Sequence, residues 1–531
     1  MKTKIFIILV GALLLFSTMK GVLGNPTFQN ILDGYTTTAA IENGPELGRY
    51  MHLIAMADNH TYALTRAMVQ KGPDYGYSGG KYFSLFAPGV AYLTLPSYLF
   101  GKYFHSAMLF TFGFVGLISI INFLLLYTIS RKIFSLPNWI SVLVVIIFGF
   151  ASTAWNYETL IYQHAFTTLA MLSSFYAVWR YRQNTRFSYL WAIVVWVGYG
   201  AAIFFDYPNI ILMLPIMVYF LLSAIDFNWN SKPRKFRIRK SIFIASIFFI
   251  ILIALHGYHN YKYFGSWKKI GSNIISLDTL RQAKVFDTPN IETFIATKAP
   301  PKEISKNLQE KNLFSSFYTL TFALDKGLFI FSPIFLLALW GMFNLRKKLT
   351  IEHSVWMALF LINLFFYCGW GDPWGGWAYG PRYLFPSMAV LSVFVGVWLH
   401  YNRGLIYKLL LTLFFIYSSG VALLGALTTT QLRPRTLNDG TKHNYLYNLD
   451  FLKANKGSSF IYNTYLSHSM TLIEYYFIIF AFLFLVFMYI LFILSRYEHK
   501  REEERVGDEA QEGLKEKGFP IYKKLRGRLK W

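Results

Sequence analysis

The stretch A-M-L-F-T-F-G-F-V-G-L-I-S-I-I-N-F-L-L-L-Y-T-I, residues 107–129, contains no charged side chain and is followed by Arg131 and Lys132. An α-helix of about 20 apolar residues is long enough to cross the hydrocarbon core of a bilayer. Backbone groups in lipid must be hydrogen-bonded within the segment itself, and a helix achieves this. The stretch therefore predicts a transmembrane helix with a basic end.

Further apolar stretches of the same kind predict about twelve transmembrane helices. Besides 107–129, they are residues 4–24, 138–153, 162–180, 188–205, 208–225, 241–258, 328–345, 354–370, 383–400, 406–427 and 472–495. The composition agrees, since 55% of the residues are hydrophobic and only 15% are charged. A soluble chain carries about a quarter charged residues. We therefore expect an all-α polytopic membrane protein.

The basic residues between these stretches fall on alternate connections. They are Lys2, Lys4, Arg131, Lys132, Arg180, Arg182, Arg186, those of segment 231–240, Arg346, Lys347, Lys348, Arg403 and Lys408. Lys and Arg mark cytoplasmic loops, so both termini are predicted to be cytoplasmic. The first stretch also has the basic start of a signal peptide, but the topology works with it retained. The net charge of +24 thus indicates topology and contact with anionic membrane lipids, and not nucleic acid.

This topology places three long loops, 25–106, 259–327 and 428–471, and the short aromatic turn 369–382 outside. The first contains P-E-L-G-R-Y-M-H-L-I-A-M-A, residues 45–57. Pro45 suits a first helical turn, and apolar side chains follow at helical spacing, namely Tyr50, Leu53, Ile54 and Ala57. The pattern predicts an amphipathic helix outside the bilayer. Glu46 and Arg49 lie one turn apart, so the local pattern alone indicates an ion pair at the helix start.

Several stretches together resemble the GT-C superfamily of integral membrane glycosyltransferases, and most closely the branch with the aminoarabinose and protein-mannose transferases. They are P-E-L-G-R-Y, the run G-G-K-Y-F-S-L-F-A-P-G-V-A-Y-L-T-L-P-S-Y-L-F-G (79–101), and segments 149–165, 259–267, 324–333 and 370–386. The chain departs from that family before the Pro turn, where many relatives have Lys. It has Phe86 or Ala87 there, and Lys81 is displaced by several residues.

The resemblance implies a chemistry and assigns residues to it. A carboxylate at the water–lipid boundary deprotonates the acceptor hydroxyl, and Glu46 stands where the family holds that carboxylate. Asp58, Asp74 and Asp33 are reserve candidates in the same loop. Arg382 is expected to bind the leaving phosphate. The other residues expected to bind substrate are Arg49, Lys81, Tyr82, Asp372, Trp374 and Tyr383. No cofactor is predicted. Some enzymes of the family use a divalent metal ion and others do not, and the sequence shows no cluster of His, Asp and Glu with ligand spacing that would favour one.

Other interpretations of these residues stay open. Arg382 could also be an arginine that extends from a helix end to the membrane surface. The Trp-rich turn (Trp370, Trp374, Trp377) could stack on a sugar or belong to an interfacial aromatic belt. Asp206, between two spans, could be functional or simply lie at the surface. His164 is better explained as a packing residue than as a metal ligand.

The predicted function is transfer of a sugar, with inversion, from a polyprenyl-phosphate donor to a lipid, glycan or protein acceptor. The expected location is the outer face of the cytoplasmic membrane. One alternative is a transporter or flippase for lipid-linked sugars, and another is a polysaccharide polymerase or ligase acting through loop 428–471. The predicted organisation is a GT-C-like catalytic module (1–400), C-terminal transmembrane helices with that loop (401–495), and a charged cytoplasmic tail (496–531).

Overall fold

The computed structural model describes residues 2–34, 40–183, 186–228, 235–298, 313–346, 348–435 and 442–516. The chain falls into two units. Met1–Leu483 contains the helices and long loops discussed below. Phe484–Trp531 contains the rest of the last helix, Leu472–Glu516.

All twelve predicted spans contain a helix, and the prediction of an all-α polytopic membrane protein is confirmed. The described residues include helices long and apolar enough to cross a membrane: Ala107–Lys132, Ser188–Phe205, Ser241–Phe264, Ile351–Cys368, Arg382–Tyr401, Leu405–Leu427 and Leu472–Arg496. Shorter apolar helices, Asn138–Phe150, Asn209–Ser223 and Pro333–Asn344, lie in three more spans. Lys2–Thr18 and His164–Arg182 occupy the other two.

Two of the shorter spans are interrupted near a proline. Asn209–Leu212 gives way to Leu214–Ser223, whose second residue is Pro215. Leu328–Phe331 ends two residues before Pro333, and a single 3₁₀ turn precedes Leu336–Asn344. Proline has no N–H to donate to the preceding turn, so the helix ladder is broken at both places.

A small antiparallel sheet, which was not predicted from the sequence, joins loops 25–106 and 259–327. Tyr75–Ser78 pairs antiparallel with Lys81–Ser84, and Tyr75 lies opposite Ser84. Gly79 and Gly80 form the turn with φ of +56° and +76°, as a two-residue type I′ turn requires. The other edge of Tyr75–Ser78 pairs with Ile275–Ser276. A second antiparallel hairpin joins Ile225–Asn228 to Lys235–Ile238.

The helix predicted at residue 45 spans Pro45–Asp58. Its residues from Pro45 to Ala55 are all buried, so the protein encloses it on every side. Buried polar side chains need hydrogen-bond partners, and His52 finds two. The Ser84 amide donates to its Nε2 at 3.1 Å, and its Nδ1 lies 2.7 Å from the Tyr62 carbonyl. Burial lowers the pKa of His52 to about 3, so the ring is neutral and fixes this helix to the sheet.

Candidate functional site

A cavity of about 1030 Å³ lies within the first unit, at the side of the bundle that carries the long loops. Its polar and charged lining side chains are Asn43, Asp74, Gln163, Asp206, Ser272, Asp372, Arg382 and Gln431. Its aromatic lining consists of Phe86, Tyr207, Phe366, Tyr367, Trp370, Trp377 and Tyr383. Segments far apart in sequence therefore contribute to one wall, and a pocket of this size with few convergent polar groups is typical of a ligand site.

Arg382 begins the short 3₁₀ turn Arg382–Leu384, which leads into the helix Phe385–Tyr401. Its guanidinium carbon lies 5.4 Å from the centroid of the Tyr383 ring and 5.7 Å from that of Tyr162. In the described part of the chain no carboxylate lies within 4.0 Å of it, and its buried Nε has no hydrogen-bond acceptor. A cation of this kind is suited to bind an anion that enters the cavity.

Asp206 directly follows the helix Ser188–Phe205 and lines the same cavity. Tyr207 precedes Pro208, a position at which helical backbone is disfavoured, and this helps to end the helix here. Gln163 Nε2 donates to Asp206 Oδ2 at 3.0 Å. Burial raises the pKa of Asp206 to about 6, while Arg49 acts in the opposite direction. The carboxyl group is therefore mostly ionised at pH 7.

Arg49 is almost fully buried and donates to the carbonyl oxygen of Ile161 at 2.9 Å. Its guanidinium carbon lies 5.4 Å from the centroid of the Phe86 ring. The ion pair between Glu46 and Arg49 that the local pattern indicated is not formed among these residues. Arg49 instead stabilises the charged form of Asp206.

Glu46 has no exposed surface and is not part of the cavity lining, although its neighbours Gly44 and Pro45 are. The Glu42 amide donates to Glu46 Oε2 at 2.8 Å, and Oε1 has no partner in the described structure. Burial raises the pKa of Glu46 to about 8, although Lys20 opposes this shift. The Glu46 carboxyl group is therefore mostly protonated at pH 7 and lies behind the cavity wall.

The remaining predicted site residues divide between the cavity and the surface. Asp74 lines the cavity with φ of +64°, a conformation uncommon outside glycine that is found enriched at functional sites. Asp372 Oδ2 accepts the Gly376 amide at 2.9 Å and so closes the turn of the cavity wall. Tyr383 also lines the cavity, whereas Trp374 is not among the lining residues.

Four predicted residues lie away from the cavity. Asp58 pairs with Lys102 at a partly exposed position. Lys81 is exposed at the start of the hairpin strand Lys81–Ser84, where Tyr82 packs against Tyr77 with ring centroids 5.3 Å apart. Asp33 is exposed, and its Oδ1 lies 3.9 Å from Lys71 Nζ. Among the described residues, no group of three or more His, Cys, Asp or Glu side chains could hold a metal ion.

A buried polar network centred on Glu42 lies behind the cavity wall and was not predicted from the sequence. Glu42 is fully buried and forms an ion pair with Lys20 at 2.8 Å. The Thr429 hydroxyl donates to Glu42 at 2.7 Å, the Thr430 amide donates at 3.0 Å, and the Thr430 hydroxyl donates as well. Glu42 therefore joins the first span, the first loop and the start of loop 428–471. Its partners are up to 388 residues away, so no local pattern could indicate them.

Replacing Glu42 with alanine is expected to destabilise the protein by about 3–5 kcal/mol, because the charge of Lys20 would remain buried without a partner. The measurement is thermal unfolding of the purified protein in detergent. Asp450→Ala is the matched control, since Asp450 pairs with Lys442 at an exposed position and such pairs contribute at most about 1 kcal/mol. Equal unfolding temperatures for the two variants would contradict the role given to Glu42.

No protein-family model matches the chain, and no curated protein matches it. The solved structures to which the chain is similar include two membrane proteins. ArnT from Cupriavidus metallidurans, bound to undecaprenyl phosphate, is 12% identical with a TM-score of 0.44, over 79% of this chain and 64% of ArnT. The oligosaccharyltransferase AglB from Archaeoglobus fulgidus, with an inhibitory peptide and a dolichol-phosphate, is 13% identical with a TM-score of 0.43.

The similarity to AglB covers 87% of this chain and 59% of AglB. This chain thus spans about three fifths of the length of either protein. The similarity to both proteins concerns the helical fold alone.

Proposed function

We propose that this protein is a membrane glycosyltransferase that transfers a sugar from a polyprenyl-phosphate donor to an acceptor hydroxyl in the cavity. The observation that carries the proposal is the composition of the cavity wall. Arg382 lies there with no carboxylate of the described residues within 4.0 Å, in the same cavity as the ionised Asp206 and a set of aromatic rings. Such a wall can bind a phosphate and a sugar at once and can also supply a base.

The phosphate is assigned to Arg382. The planar guanidinium can donate two parallel hydrogen bonds to phosphate oxygens. As the bond between the anomeric carbon and the phosphate oxygen breaks, negative charge grows on the leaving polyprenyl phosphate. A fixed cation at that position lowers the energy of the transition state. The buried Nε of Arg382, which has no acceptor among the described residues, supports this role.

We assign the general base to Asp206. The acceptor hydroxyl loses its proton to the carboxylate as its oxygen bonds to the anomeric carbon, and a single displacement inverts that centre. A base must be ionised at the working pH and within reach of the substrate. Asp206 lines the cavity and titrates near pH 6. Glu46, the carboxylate expected from the resemblance, is mostly protonated at pH 7 and lies behind the wall.

The lipid chain of the donor is assigned to the apolar side of the cavity. Ile203, Ile210, Ile211 and Phe366 line this side. They belong to the membrane helices Ser188–Phe205, Asn209–Leu212 and Ile351–Cys368. A polyprenyl tail can therefore remain in an apolar environment while its phosphate reaches Arg382.

The test is an assay of the purified protein with a panel of labelled polyprenyl-phosphate sugars and lipid, glycan and peptide acceptors. Release of polyprenyl phosphate with transfer of the label supports the proposal and identifies the sugar. Movement of a labelled donor across proteoliposomes without product would instead indicate a flippase. Transfer from polyprenyl-pyrophosphate donors alone would indicate a polymerase or ligase.

The cavity is proposed to open on the outer face of the cytoplasmic membrane, with both termini inside. A Cys368→Ser background removes the single cysteine, and exposed positions can then carry a reporter thiol. Lys81→Cys is expected to react with an impermeant maleimide on intact cells, whereas Arg403→Cys is expected to react only after lysis. The reverse pattern would contradict this orientation.

A further inference from the structure

Lys326 is fully buried in the connection that precedes the helix Leu328–Phe331. Its Nζ donates to three backbone carbonyls: Gly376 at 3.3 Å, Leu432 at 3.1 Å, and Ala378. A protonated lysine has three N–H donors and no acceptor. The three donors thus meet three carbonyl oxygens, and the charged amine is satisfied without a solvent contact.

These carbonyls belong to two segments that form the cavity wall. Gly376 and Trp377 line the cavity on one segment, and Gln431 lines it on the other. The two segments are also joined directly, because the Ala378 amide donates to the Leu432 carbonyl at 3.1 Å. Lys326 therefore holds together two parts of the wall that are more than 50 residues apart in sequence.

Asp325, which precedes Lys326, is buried as well. Its Oδ2 accepts the amide of Arg435 at 3.3 Å. The segment that begins the loop 428–471 is consequently fixed by two adjacent buried residues, the acidic Asp325 and the basic Lys326. Glu42 holds the other end of the same segment through Thr429 and Thr430.

The wall segment around Gly376 packs against Arg382. A Cβ placed on Gly375 would lie 3.1 Å from Arg382 Nε, and one on Gly376 would lie 4.0 Å from its Nη2. Both glycines have positive φ, +67° and +66°, a conformation that glycine adopts without steric cost. The position of this glycine turn therefore limits where the guanidinium group can lie.

We propose that Lys326 is a positioning residue: its ammonium group ties the glycine turn to the segment at Leu432 and thereby orients Arg382 toward the donor phosphate. This inference rests on the proposed function of the cavity. Lys326 itself does not line the cavity, so it acts through the wall and not on the substrate.

The protonation state of Lys326 gives the proposal a measurable consequence. Burial lowers its pKa to about 7; the charges that face it are Asp325 and Asp372, which raise the pKa, and Arg382, which lowers it. Below this pH the amine carries three donors, and above it only two remain for three carbonyls. The wall is then held less firmly, so affinity for a polyprenyl phosphate is expected to fall as the pH rises from 6 to 8.

The experiment measures binding of undecaprenyl phosphate to the full-length protein in detergent, by thermophoresis, at pH 6, 7 and 8. Lys326→Met keeps the length of the side chain and removes the donors. It is expected to weaken binding at pH 6 by about 10- to 100-fold, as small misplacements of a binding group commonly do, and to flatten the pH dependence. Lys326→Arg, which stays charged, should restore part of the affinity. Its affinity should fall less than that of the wild type between pH 6 and 8, because only Asp206 and the phosphate itself then titrate.

Two further variants separate the possible failures. Lys442→Met removes an exposed lysine from the same loop region and should bind like the wild type. Arg382→Ala should lose binding if the proposed function is right. Wild-type affinity and pH dependence in Lys326→Met, with binding lost in Arg382→Ala, would overturn this inference alone. Equal binding by the wild type and Arg382→Ala would overturn the proposed function itself.

If Lys326→Met does not fold, as judged by gel filtration and thermal unfolding, the Lys326→Arg variant decides. Affinity that falls clearly less than that of the wild type between pH 6 and 8 supports the positioning role. Affinity that still falls like that of the wild type overturns it, because another group must then titrate.

Discussion

Replacing Arg382 with alanine is expected to lower turnover of the polyprenyl-phosphate donor by about 10²–10³-fold. Removal of one fixed group that stabilises charge in a transition state typically has an effect of this size. The effect should be large because Arg382 has no carboxylate within 4.0 Å in the described structure. Its loss would therefore leave no acid unpaired, and folding should be little affected. The measurement is steady-state kinetics of the purified variant with its labelled donor.

Lysine at position 382 is expected to recover only part of the lost activity. An ammonium group supplies the charge but not the planar pair of donors. Arg66→Ala is a suitable control, because Arg66 pairs with Asp287 at an exposed position away from the cavity. Near-normal kinetics of Arg382→Ala would exclude the phosphate role. Full recovery in Arg382→Lys would indicate an arginine that merely extends to the membrane surface.

Asp206→Asn is expected to reduce turnover by about 10²–10⁴-fold, the usual contribution of a general base. Asparagine keeps the shape and can still accept the hydrogen bond from Gln163, so the variant should fold. The wild-type rate should rise as the pH increases through about 6, where Asp206 loses its proton. The rate of the Asp206→Asn variant should not show this rise with pH. Kinetics between pH 5 and 8 measure both effects.

Carboxylates elsewhere provide the controls for this assignment. Glu46→Gln preserves the acceptor for the Glu42 amide and is expected to change turnover little, because Glu46 is mostly protonated at pH 7. Asp74→Asn should have an intermediate effect, and Asp58→Asn should have none. Loss of turnover in Glu46→Gln with full activity in Asp206→Asn would assign the base to Glu46, as the resemblance implies. Full activity in all of these variants would contradict the transferase proposal.

The membrane helices could be predicted from the sequence because the signal is local. Predicted spans 107–129 and 188–205 correspond to Ala107–Lys132 and Ser188–Phe205. A helix in lipid satisfies its own backbone and needs only about 20 apolar residues in a row. The start of Pro45–Asp58 was predictable for a similar reason, since proline favours the first turn of a helix. Length, composition and basic flanks therefore determined these elements by themselves.

The cavity and its charges were decided by tertiary structure. Tyr75–Ser78 becomes the middle strand of a sheet only because Ile275–Ser276 pairs with it, about 200 residues later. Glu46 and Arg49 look like an exposed ion pair in sequence, but the surrounding helices bury both and direct Arg49 to Ile161. Asp74, Asp206 and Arg382 line one cavity, although Asp74 and Arg382 are more than 300 residues apart in sequence. The length of an apolar stretch is a property of one segment. The burial of an ionisable group depends on every segment that packs around it, and burial in turn shifts the charge state of that group.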